Sequence, residues 1–501
     1  MANLAAVLEE RARDEGFWSA PAFVVGDRTW THAEVHRGAA HAAALLAGRG
    51  VRRGDRVLLV AADGIEFVWA FLGTVRLGAL VVLANPRLTA DDHSGLAADT
   101  WPRLVVCAVE LAERFGAATA VSADNLGSAV IEALDTAGPG PDGAPPCVDM
   151  SDDEPAYAQF TSGTTGRPKA AVHRHSDPLA YFRAFALQAV GLGPDDVVYS
   201  VSKLFFAYGL GNSLFFPLLA GCRAVLDPGP PRADTATRIV VDHGVTVIFS
   251  VPTFYARLVA SADAAMFTSV RAAVSAGEAL TPVLAERSRL LFGCPILDGL
   301  GSTEVGQTFA SNTLDAQRDG TVGRALPPYQ VAVRGDGGTD LEAGHPGTLW
   351  VRGPTVLVGY LDRPDATAAA VQDGWLCTAD RAIVAAEGFV HHLGRVDDVE
   401  VVGGINVVPL EIEAVLVGHP AVSEVAVAAV RDDLGASRLE AFVVPAGGKG
   451  DGIGDELVAL ARTALAPHKV PRAVHVVDAL PRTPTGKLRR FVLRAGGWGR
   501  D

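Results

Sequence analysis

One stretch of the sequence, FTSGTTGRPKAAVHRH at Phe160–His175, combines residue types that suit a phosphate group. The backbone N–H groups of a glycine-rich turn can cradle an anion, serine and threonine hydroxyl groups add donors, and Lys169 adds a positive charge. The spacing does not match the G-x-x-x-x-G-K-[ST] pattern of P-loop proteins. The stretch therefore predicts a phosphate-binding loop of another kind, with a flexible surface turn as the alternative.

Three later stretches carry charged residues that complement a bound nucleotide. DGLGSTE (Asp298–Glu304) is a turn that ends in a carboxylate, which suits Mg²⁺ beside phosphates. TAD (Thr378–Asp380) offers a carboxylate to ribose hydroxyl groups, and PRTPTGKLRR (Pro481–Arg490) presents one lysine on a glycine turn. Each has an ordinary explanation when taken singly: a charge at a helix N-terminus, a helix cap or a solvated lysine. Their occurrence together favours a nucleotide site.

The elements around these motifs alternate between strand and helix. DRVLLVAAD is a short apolar run bounded by charged and turn residues, GIEFVWAFLGTVRLGA has helical apolar spacing, and LVVLANP is strand-like again. The strand YAQF precedes the glycine-rich loop. This alternation predicts an α/β fold in which parallel-type sheets are layered with helices.

The pattern changes twice further along the chain. Between about residues 326 and 393, short strands with frequent glycine and proline predict a small β-rich subdomain. The remainder predicts a smaller α+β domain. We therefore expect an N-terminal domain over residues 1–396 and a C-terminal domain over residues 397–501, with the boundary near Asp397.

Composition excludes several classes of function. Hydrophobic residues make up 49% of the 501 residues, which allows about three domains with a large core. The net charge of -14 argues against nucleic acid as a partner. Five dispersed cysteines without a CxxC pair favour a reducing compartment with neither disulfides nor a zinc site. Without an apolar run of roughly 18 residues or a signal-peptide pattern, we expect a cytoplasmic protein without membrane contact.

Together the motifs resemble those of the acyl-adenylate-forming superfamily, which includes acyl-CoA synthetases, adenylation domains of peptide synthetases and luciferase. The resemblance covers essentially the whole chain and implies ATP, Mg²⁺ and coenzyme A as cofactors. It also implies that TSGTTGRPK binds the β- and γ-phosphates of ATP. The matching residues of this loop are Thr161, Ser162, Gly163, Thr164, Thr165, Gly166 and Lys169.

The same resemblance implies roles for the later motifs. Glu304 matches the Mg²⁺ ligand, and Thr303 matches a contact to the α-phosphate. Asp380 and Arg395 match the contacts to the ribose, and Lys487 matches the catalytic lysine that bridges the substrate carboxylate and the α-phosphate. The remaining nucleotide-binding matches are Gly277 and Glu278, beside the adenine, and Asp298, Gly299, Leu300, Gly301 and Ser302.

Two half-reactions follow from the resemblance. A carboxylate attacks the α-phosphorus and pyrophosphate leaves; a thiol then attacks the acyl-adenylate and releases AMP. Because two anions must meet, the positive charge of Lys487 and Mg²⁺ has to be placed in advance. Rotation of a mobile C-terminal domain about a hinge at Asp397 would then replace Lys487 by a CoA tunnel at Gly403 and Gly404.

Two positions depart from the family pattern. Leu300 stands where an aromatic residue usually stacks on adenine, although an aliphatic side chain can still support the ring. Val401 stands where many relatives have a lysine. Any role of that lysine in thioester formation must therefore be absent or supplied elsewhere.

The segment KLFFAYGLGNSLFFPLLAGC resembles benzoate–CoA ligases among the aryl acid ligases. A flat ring suits a slot of aromatic, alanine and glycine residues, whereas Phe215 and Phe216 are expected in the core. Gly306 is expected to open space and Gln307 to hydrogen-bond a ring substituent, which favours a substituted benzoate, a salicylate or a hydroxynaphthoate-like acid. The predicted acid pocket consists of Phe206, Ala207, Tyr208, Gly209, Ala276, Gly306 and Gln307.

Other functions remain as alternatives at this stage. A stand-alone adenylation enzyme that loads an aryl acid onto a separate carrier protein would have a similar sequence. A non-catalytic relative that binds nucleotide or an aryl acid is disfavoured because Glu304 and Lys487 are both present. A P-loop kinase or GTPase is disfavoured by the loop spacing. Many relatives dimerise, which leaves a homodimer as an open alternative.

Overall fold

A computed structural model describes most of the chain. The described residues are 3–115, 120–136, 146–161, 168–335, 337–396, 400–402, 405–431, 437–448, 452–482 and 488–495.

Strands and helices are numbered here in chain order. The strands of the described ranges are β1 (Pro21–Val25), β2 (Arg28–Thr31), β3 (Arg56–Val60), β4 (Leu80–Leu83), β5 (Leu104–Cys107), β6 (Ala120–Ser122), β7 (Pro155–Thr161), β8 (Lys169–Arg174), β9 (Val197–Ser200), β10 (Arg223–Leu226), β11 (Val247–Ser250), β12 (Ala272–Ala276), β13 (Ile296–Gly301), β14 (Thr308–Ser311), β15 (Arg324–Ala325), β16 (Gln330–Arg334), β17 (Gly347–Arg352), β18 (Gly359–Tyr360), β19 (Val371–Gln372), β20 (Trp375–Val384), β21 (Val390–Arg395), β22 (Glu400–Val402), β23 (Ile405–Val407), β24 (Val422–Arg431), β25 (Ser437–Pro445) and β26 (Ala473–Val476). The α-helices of the same ranges are α1 (Leu4–Asp14), α2 (His32–Gly48), α3 (Ile65–Arg76), α4 (Ala90–Thr100), α5 (Ala112–Phe115), α6 (Ala123–Thr136), α7 (Asp177–Tyr181), α8 (Ala207–Leu210), α9 (Phe216–Ala220), α10 (Ala233–His243), α11 (Pro252–Ser261), α12 (Pro282–Phe292), α13 (Pro364–Ala370), α14 (Pro409–Leu416), α15 (Ile453–Ala464) and α16 (Arg490–Arg494).

Two large sheets form the centre of the N-terminal domain. Their strand orders are β15-β14-β13-β12-β11-β9-β10-β1-β2 and β18-β8-β7-β4-β3-β5-β6. The inner strands pair in parallel, as β3 does with β4 and β5, whereas β13–β14 and β7–β8 pair antiparallel towards the edges. The predicted α/β fold with parallel-type sheets is therefore confirmed, with antiparallel strands added at the edges.

The inner strands are continuous apolar runs. RVLLV of β3, LVVL of β4 and VIFS of β11 are buried at nearly every position. A parallel strand covered by helices on both faces needs apolar residues at successive positions rather than at alternate ones. Helix α3 between β3 and β4 is itself buried along most of its length, which fits the central position of this unit.

The loops at the carboxyl ends of β9, β12 and β13 carry the predicted site residues. The segment with Phe206 follows β9, Gly277 follows β12, and Glu304 follows β13. Since these strands lie within one sheet in the order β13-β12-β11-β9, their carboxyl ends meet at one edge. This edge brings three segments that are distant in sequence to one place.

The remainder of the chain forms smaller sheets. Strands β16, β17, β20, β19 and β21 build a five-stranded sheet, which confirms the β-rich subdomain. Strands β24, β25 and β26 with α14, α15 and α16 form the smaller α+β C-terminal domain. The predicted domain boundary at Asp397 lies outside the described residues and stays a prediction.

The structure describes the state of the cysteines and the length and apolarity of the helices. All five cysteines are free thiols. Along the described part of the chain, no helix combines the length and apolarity that crossing a membrane requires.

Candidate active site

The predicted phosphate-binding loop connects the two strands of a hairpin. Strand β7 ends at Thr161, β8 begins at Lys169, and these two residues are paired across the antiparallel ladder. The loop between them, with the predicted ligands Ser162, Gly163, Thr164, Thr165 and Gly166, lies outside the described residues. The structure thus places the two ends of the loop side by side, with the lysine at its second end.

Tyr360 links Lys169 to Glu304. The ammonium nitrogen Nζ of Lys169 lies 4.6 Å from the centroid of the Tyr360 ring. The hydroxyl group of the same tyrosine donates a hydrogen bond of 3.0 Å to Oε1 of Glu304. Burial raises the pKa of Tyr360 above its ordinary value, so the hydroxyl remains a hydrogen-bond donor at neutral pH. The predicted phosphate-binding lysine and the predicted Mg²⁺ ligand therefore share one tyrosine.

The turn that carries Glu304 is held by hydrogen bonds at both sides. The hydroxyl of Ser302 accepts the N–H of Val305 at 3.2 Å and caps the short helical turn Thr303–Val305. The ring nitrogen Nε2 of His173 lies 2.8 Å from the carbonyl oxygen of Thr303. Since His173 lies on β8, this contact fixes the position of the turn relative to the lysine of the hairpin.

Tyr360 and His173 were missed by the sequence reasoning. Residues 169, 171 and 173 lie on one face of β8 because side chains alternate along a strand, so His173 could have been found from its spacing. Tyr360 of β18 is paired with Ala171 and joins that face from a distant part of the sequence. No local pattern marks it.

Asp380 and Arg395, the predicted ribose contacts, are brought together by β20 and β21. The two residues are paired in the antiparallel ladder, and the guanidinium of Arg395 lies 3.2 Å from the Asp380 carboxylate. The imidazole of His392 lies 3.4 Å from the same carboxylate. Burial raises the pKa of Asp380, but the nearby imidazole of His392 and the charge of Arg395 outweigh it and hold the pKa below its usual value.

The predicted adenine side is formed by the ends of β12 and β13. Ser275 is paired with Asp298 across these parallel strands, and Gly277 then turns with a φ of 86°. Oε2 of Glu278 accepts the backbone N–H of Thr253 at 2.9 Å and its hydroxyl at 2.5 Å. Glu278 thereby satisfies donors at the start of α11, a role of its own beside the predicted nucleotide contact.

Asp298 is a buried acid with an unsatisfied oxygen. The residue is 8% exposed, and its Oδ1 has no hydrogen-bond partner among the described residues. Burial raises the pKa of Asp298 well above its usual value. A buried acceptor of this kind is stabilised by a ligand that donates a hydrogen bond.

The glycines of the DGLGSTE segment are required by close packing. A Cβ at Gly301 would lie 2.7 Å from the carbonyl oxygen of Gln307, and one at Gly299 would lie 2.9 Å from the methyl group of Thr308. Leu300, between them, is half-buried against the main core. Strand β13 therefore lies tightly against β14, and its bend presents Glu304 at the sheet edge.

The predicted acid pocket is built around a short helical segment after β9. Tyr208 donates a hydrogen bond of 3.3 Å to the carbonyl oxygen of Val274, which ties the segment to β12 just before the buried Ala276. Phe206 and Ala207 are half-buried at the start of the segment. Gly209 is explained by packing, because a Cβ there would lie 2.1 Å from the carbonyl oxygen of Lys203.

Gln307 lies next to this segment, and its side chain already has hydrogen-bond partners. Its amide nitrogen is 3.3 Å from Oδ1 of Asn212, and its Oε1 accepts the N–H of Thr308 at 2.9 Å. Asn212, which the sequence reasoning missed, is fully buried in a π-helical turn, and its Nδ2 has no partner among the described residues. Its spacing of four residues from Tyr208 could have indicated a shared face.

The backbone conformation also explains why residue 306 is glycine, in addition to the open space that the sequence predicts there. Its φ of 80° is a conformation that favours glycine, and a Cβ there would lie 3.2 Å from His173 and 3.3 Å from Tyr181. Phe215 and Phe216 are completely buried, which confirms them as core residues.

Several predicted residues lie outside the described part of the chain. They are Lys487, Asp397, Gly403 and Gly404. The loop 483–487 is nevertheless flanked by a described pair, because Arg482 and Leu488 form an antiparallel bridge. The described residues on either side of 483–487 therefore lie together.

The donor set fits a nucleotide with magnesium. Among the residues that the structure describes, no group of three or more His, Cys, Asp or Glu side chains could hold a metal ion by itself. Magnesium in nucleotide sites is usually held by one or two carboxylates together with phosphates, so a single carboxylate at Glu304 fits this mode. The unsatisfied Oδ1 of Asp298 fits the amino group of a base.

Comparison with protein families gives two matches. Residues 8–361 match the family "AMP-binding enzyme", and residues 411–487 match the family "AMP-binding enzyme C-terminal domain". Together these matches cover most of the chain.

Individual relatives agree with this assignment. The chain is 45% identical over 495 residues to a p-hydroxybenzoic acid–AMP ligase of Mycobacterium tuberculosis, covering 98% of this chain and 68% of the relative. It is 36% identical over 459 residues to a benzoate–CoA ligase of Thauera aromatica, covering 89% of this chain and 86% of that protein. A benzoate CoA ligase structure from Burkholderia xenovorans LB400 superposes with a TM-score of 0.88 at 33% identity, covering 98% of this chain and 99% of the other. The chain therefore belongs to the AMP-binding enzyme family, the acyl-adenylate-forming enzymes, and is similar within it to the benzoate–CoA ligases.

Proposed function

We propose that the chain is an ATP-dependent aryl acid–CoA ligase. An oxygen of the aryl carboxylate forms a bond to the α-phosphorus of ATP while the bond to pyrophosphate breaks, which gives aryl-AMP. The thiol of CoA then loses its proton to solvent and attacks the carbonyl carbon, the thioester forms, and AMP leaves with the bonding electrons of the acyl–oxygen bond. The products are aryl-CoA, AMP and pyrophosphate.

The contact of Tyr360 with both Lys169 and Glu304 carries this proposal. It supports a single site in which the lysine of the glycine-rich loop and the carboxylate of the STE turn serve the same phosphate chain. Positive charge aligned along a phosphate chain is what attack by an anion on the α-phosphorus requires.

The remaining roles follow from the positions of the side chains. We infer that Lys169 and the loop 162–167 bind the β- and γ-phosphates, and that Thr303 contacts the α-phosphate. Asp380 and Arg395 would bind the ribose. Oδ1 of Asp298 would accept a hydrogen bond from the amino group of the adenine. Magnesium, held by Glu304 and the phosphates, would neutralise charge on the phosphate chain. Lys487 would bring its ammonium group to the acid carboxylate.

The acid is proposed to be a benzoate with a hydroxyl substituent. The amide groups of Gln307 and Asn212 lie beside Tyr208, and the buried Nδ2 of Asn212 has no partner in the described part of the chain. An unsubstituted ring would leave this donor unsatisfied, whereas a ring hydroxyl can accept from it. The p-hydroxybenzoic acid of the Mycobacterium tuberculosis relative belongs to this class, as do salicylate and larger hydroxynaphthoates.

A second candidate concerns the thiol that accepts the aryl group. The Mycobacterium tuberculosis relative is named for its AMP ligase activity, whereas the Thauera aromatica relative is named as a CoA ligase. The first name favours a chain that forms the aryl-adenylate and loads it onto the thiol of a carrier protein. Both candidates share the first half-reaction and differ only in the acceptor.

A panel of acids tests the proposal. Benzoate, the three monohydroxybenzoates and 2-hydroxy-1-naphthoate would be supplied with ATP and Mg²⁺, and pyrophosphate release would be measured with and without CoA. We expect kcat/KM for at least one hydroxylated acid to exceed that for benzoate by about tenfold. This factor corresponds to one hydrogen bond from the buried amide to the ring hydroxyl, which benzoate cannot accept. The thioester would be identified by mass spectrometry.

Each outcome of the panel has a defined meaning. Formation of aryl-CoA supports the CoA ligase. Pyrophosphate release without formation of aryl-CoA, when CoA is present, supports loading of a carrier protein. Stoichiometric ADP would contradict the adenylation mechanism. A benzoate preference over all hydroxylated acids would contradict the assignment of the acid.

A further inference from the structure

Three charged residues form a buried group next to the predicted acid pocket. We call Asp63, Lys203 and Asp227 the buried charge cluster. Asp63 follows β3 of one large sheet, whereas Lys203 and Asp227 follow β9 and β10 of the other. Asp63 is 4% exposed and Lys203 is 6% exposed. The cluster therefore joins loops at the carboxyl ends of strands from both sheets.

The cluster holds one backbone turn, 203–206, from two directions. Oδ1 of Asp63 accepts the backbone N–H of Leu204 at 2.9 Å. The ammonium group of Lys203 donates to the carbonyl oxygen of Asp227 and lies 3.8 Å from Oδ2 of the same residue. Leu204 is fully buried, so its N–H requires an acceptor within the protein. The turn is thereby attached to a loop of each sheet.

The predicted acid pocket begins directly on this turn. The carbonyl oxygen of Lys203 accepts the N–H of Phe206 at 2.9 Å. A Cβ at Gly209 would lie 2.1 Å from the same carbonyl oxygen, so the pocket segment packs against the turn without space between them. A displacement of the turn would therefore displace the backbone of Phe206 and of Tyr208 as well.

A carboxylate is an expensive acceptor at this buried position. Burial raises the pKa of Asp63 to about 7, although the charge of Lys203 and the N–H of Leu204 favour the ionised form. Acidic groups perturbed in this way are concentrated at functional sites. A charged acceptor also makes a stronger hydrogen bond than a neutral one, which suits a turn whose position has to be fixed closely.

We propose that Asp63 is a positioning residue for the aryl acid. By accepting the N–H of Leu204 it fixes the turn 203–206, and the turn sets the position of the pocket wall that Phe206 and Tyr208 form. This inference rests on the proposed function. Asp63 acts through the backbone of the pocket segment and not by contact with the acid, so it should govern binding of the acid and not binding of ATP.

Steady-state kinetics of pyrophosphate release provide the first test. With the acid of the panel that has the highest kcat/KM, Asp63→Ala should raise KM for that acid by about tenfold, because the hydrogen bond to a charged acceptor is lost. KM for ATP should stay nearly unchanged. Asp63→Asn keeps an oxygen acceptor on a side chain of the same shape and should recover most of the KM for the acid. Equal rises in both KM values, an unchanged KM for the acid, or no recovery in Asp63→Asn would overturn the proposal.

Glu9→Ala is the matched control for a loss of stability. Glu9 pairs at 2.7 Å with Arg76 at the carboxyl end of α3, the helix that begins next to Asp63. The variant breaks an ion pair at the far end of the same helix, so it should lower the melting temperature without changing the ratio of KM for the acid to KM for ATP. A rise of that ratio as large as in Asp63→Ala would assign the effect to general destabilisation and refute the proposal.

Hydrogen–deuterium exchange separates this inference from the proposed function. In the absence of any substrate, peptides that cover residues 203–212 should exchange faster in Asp63→Ala than in the parent, because the N–H of Leu204 loses its acceptor. Peptides from α11 are the internal reference and should exchange as in the parent. Unchanged exchange of residues 203–212 would refute the positioning role even if all acids react. Faster exchange with no reactive acid would refute the proposed function and leave the attachment of the turn to Asp63 standing.

Discussion

At the scale of single residues, Tyr360 has the most informative position. Its ring lies against Lys169 and its hydroxyl group binds Glu304, so one side chain orients a cation and an anion of the candidate site. Neither charged residue needs to be held by the other directly. The tyrosine can therefore keep both in place before a nucleotide binds.

Tyr360→Phe should weaken the use of ATP without unfolding the protein. The change keeps the ring beside Lys169 but removes the hydrogen bond to a carboxylate, a type of bond worth about 1.5–3 kcal/mol. We expect kcat/KM for ATP in pyrophosphate release to fall by about ten- to a hundredfold, while the protein stays folded with a loss of stability of at most about 3 kcal/mol. Tyr329→Phe, which removes a buried hydroxyl contact to Thr355, is the control and should affect stability rather than kcat/KM. An unaltered kcat/KM in Tyr360→Phe would remove the tyrosine from the site.

At the scale of elements, the amino ends of three strands share one ion pair. Arg271 at the start of β12 binds Asp196 before β9 through two hydrogen bonds of 2.7 Å. The hydroxyl of Thr246, before β11, donates to the same carboxylate at 2.6 Å. Burial raises the pKa of Asp196, but Arg271 and the other donors outweigh it and hold the pKa below its usual value. The ion pair therefore holds the three strands in register at their amino ends. This also sets the relative positions of their carboxyl ends, which carry the candidate site.

Asp196→Ala should destabilise the N-terminal domain. Removing one partner of a buried ion pair costs about 3–5 kcal/mol, and the 35% exposure of the Arg271 side chain reduces the expected loss to about 2–3 kcal/mol. Urea denaturation would measure the loss. The exposed Asp234, paired with Arg232, provides the control Asp234→Ala, for which we expect no measurable change. Equal denaturation midpoints for both variants would contradict the role of Asp196.

At the scale of the whole molecule, buried histidines make the folded chain sensitive to acid. Burial lowers the pKa of His32 and of His175 to about 4 and that of His36 to about 3. His175 accepts the N–H of Leu4 at 3.0 Å through Nδ1, so it attaches the first helix to the core in its neutral form. Protonation at this nitrogen would remove the acceptor.

Stability should therefore fall as the pH decreases from about 6.5 to about 4. In this window the unfolded chain takes up protons that the folded chain does not bind, so acid favours unfolding. For His175 alone the loss amounts to about 2 kcal/mol at pH 5. The urea midpoint of the parent should decrease as the pH is lowered from 7.5 to 5. His175→Gln should reduce the slope of the urea midpoint against pH. The exposed His345 offers the control His345→Gln, which should keep the slope of the parent. If His175→Gln also keeps the slope of the parent, the assignment to His175 is refuted.

The family, the α/β fold with a smaller C-terminal domain and the segments of the candidate site could be predicted from the amino-acid sequence alone. Glycine-rich loops, turns and alternating apolar runs consist of neighbouring residues, so their chemistry can be read from local spacing. Which of these segments meet, and which side chains join them, became visible only in the folded chain. Tyr360 and Glu304 are 56 residues apart, and His173 and Thr303 are 130 residues apart. Such contacts depend on how strands pair and where loops leave a sheet, and no local pattern encodes either because many distant pairings are compatible with the same alternation of apolar residues.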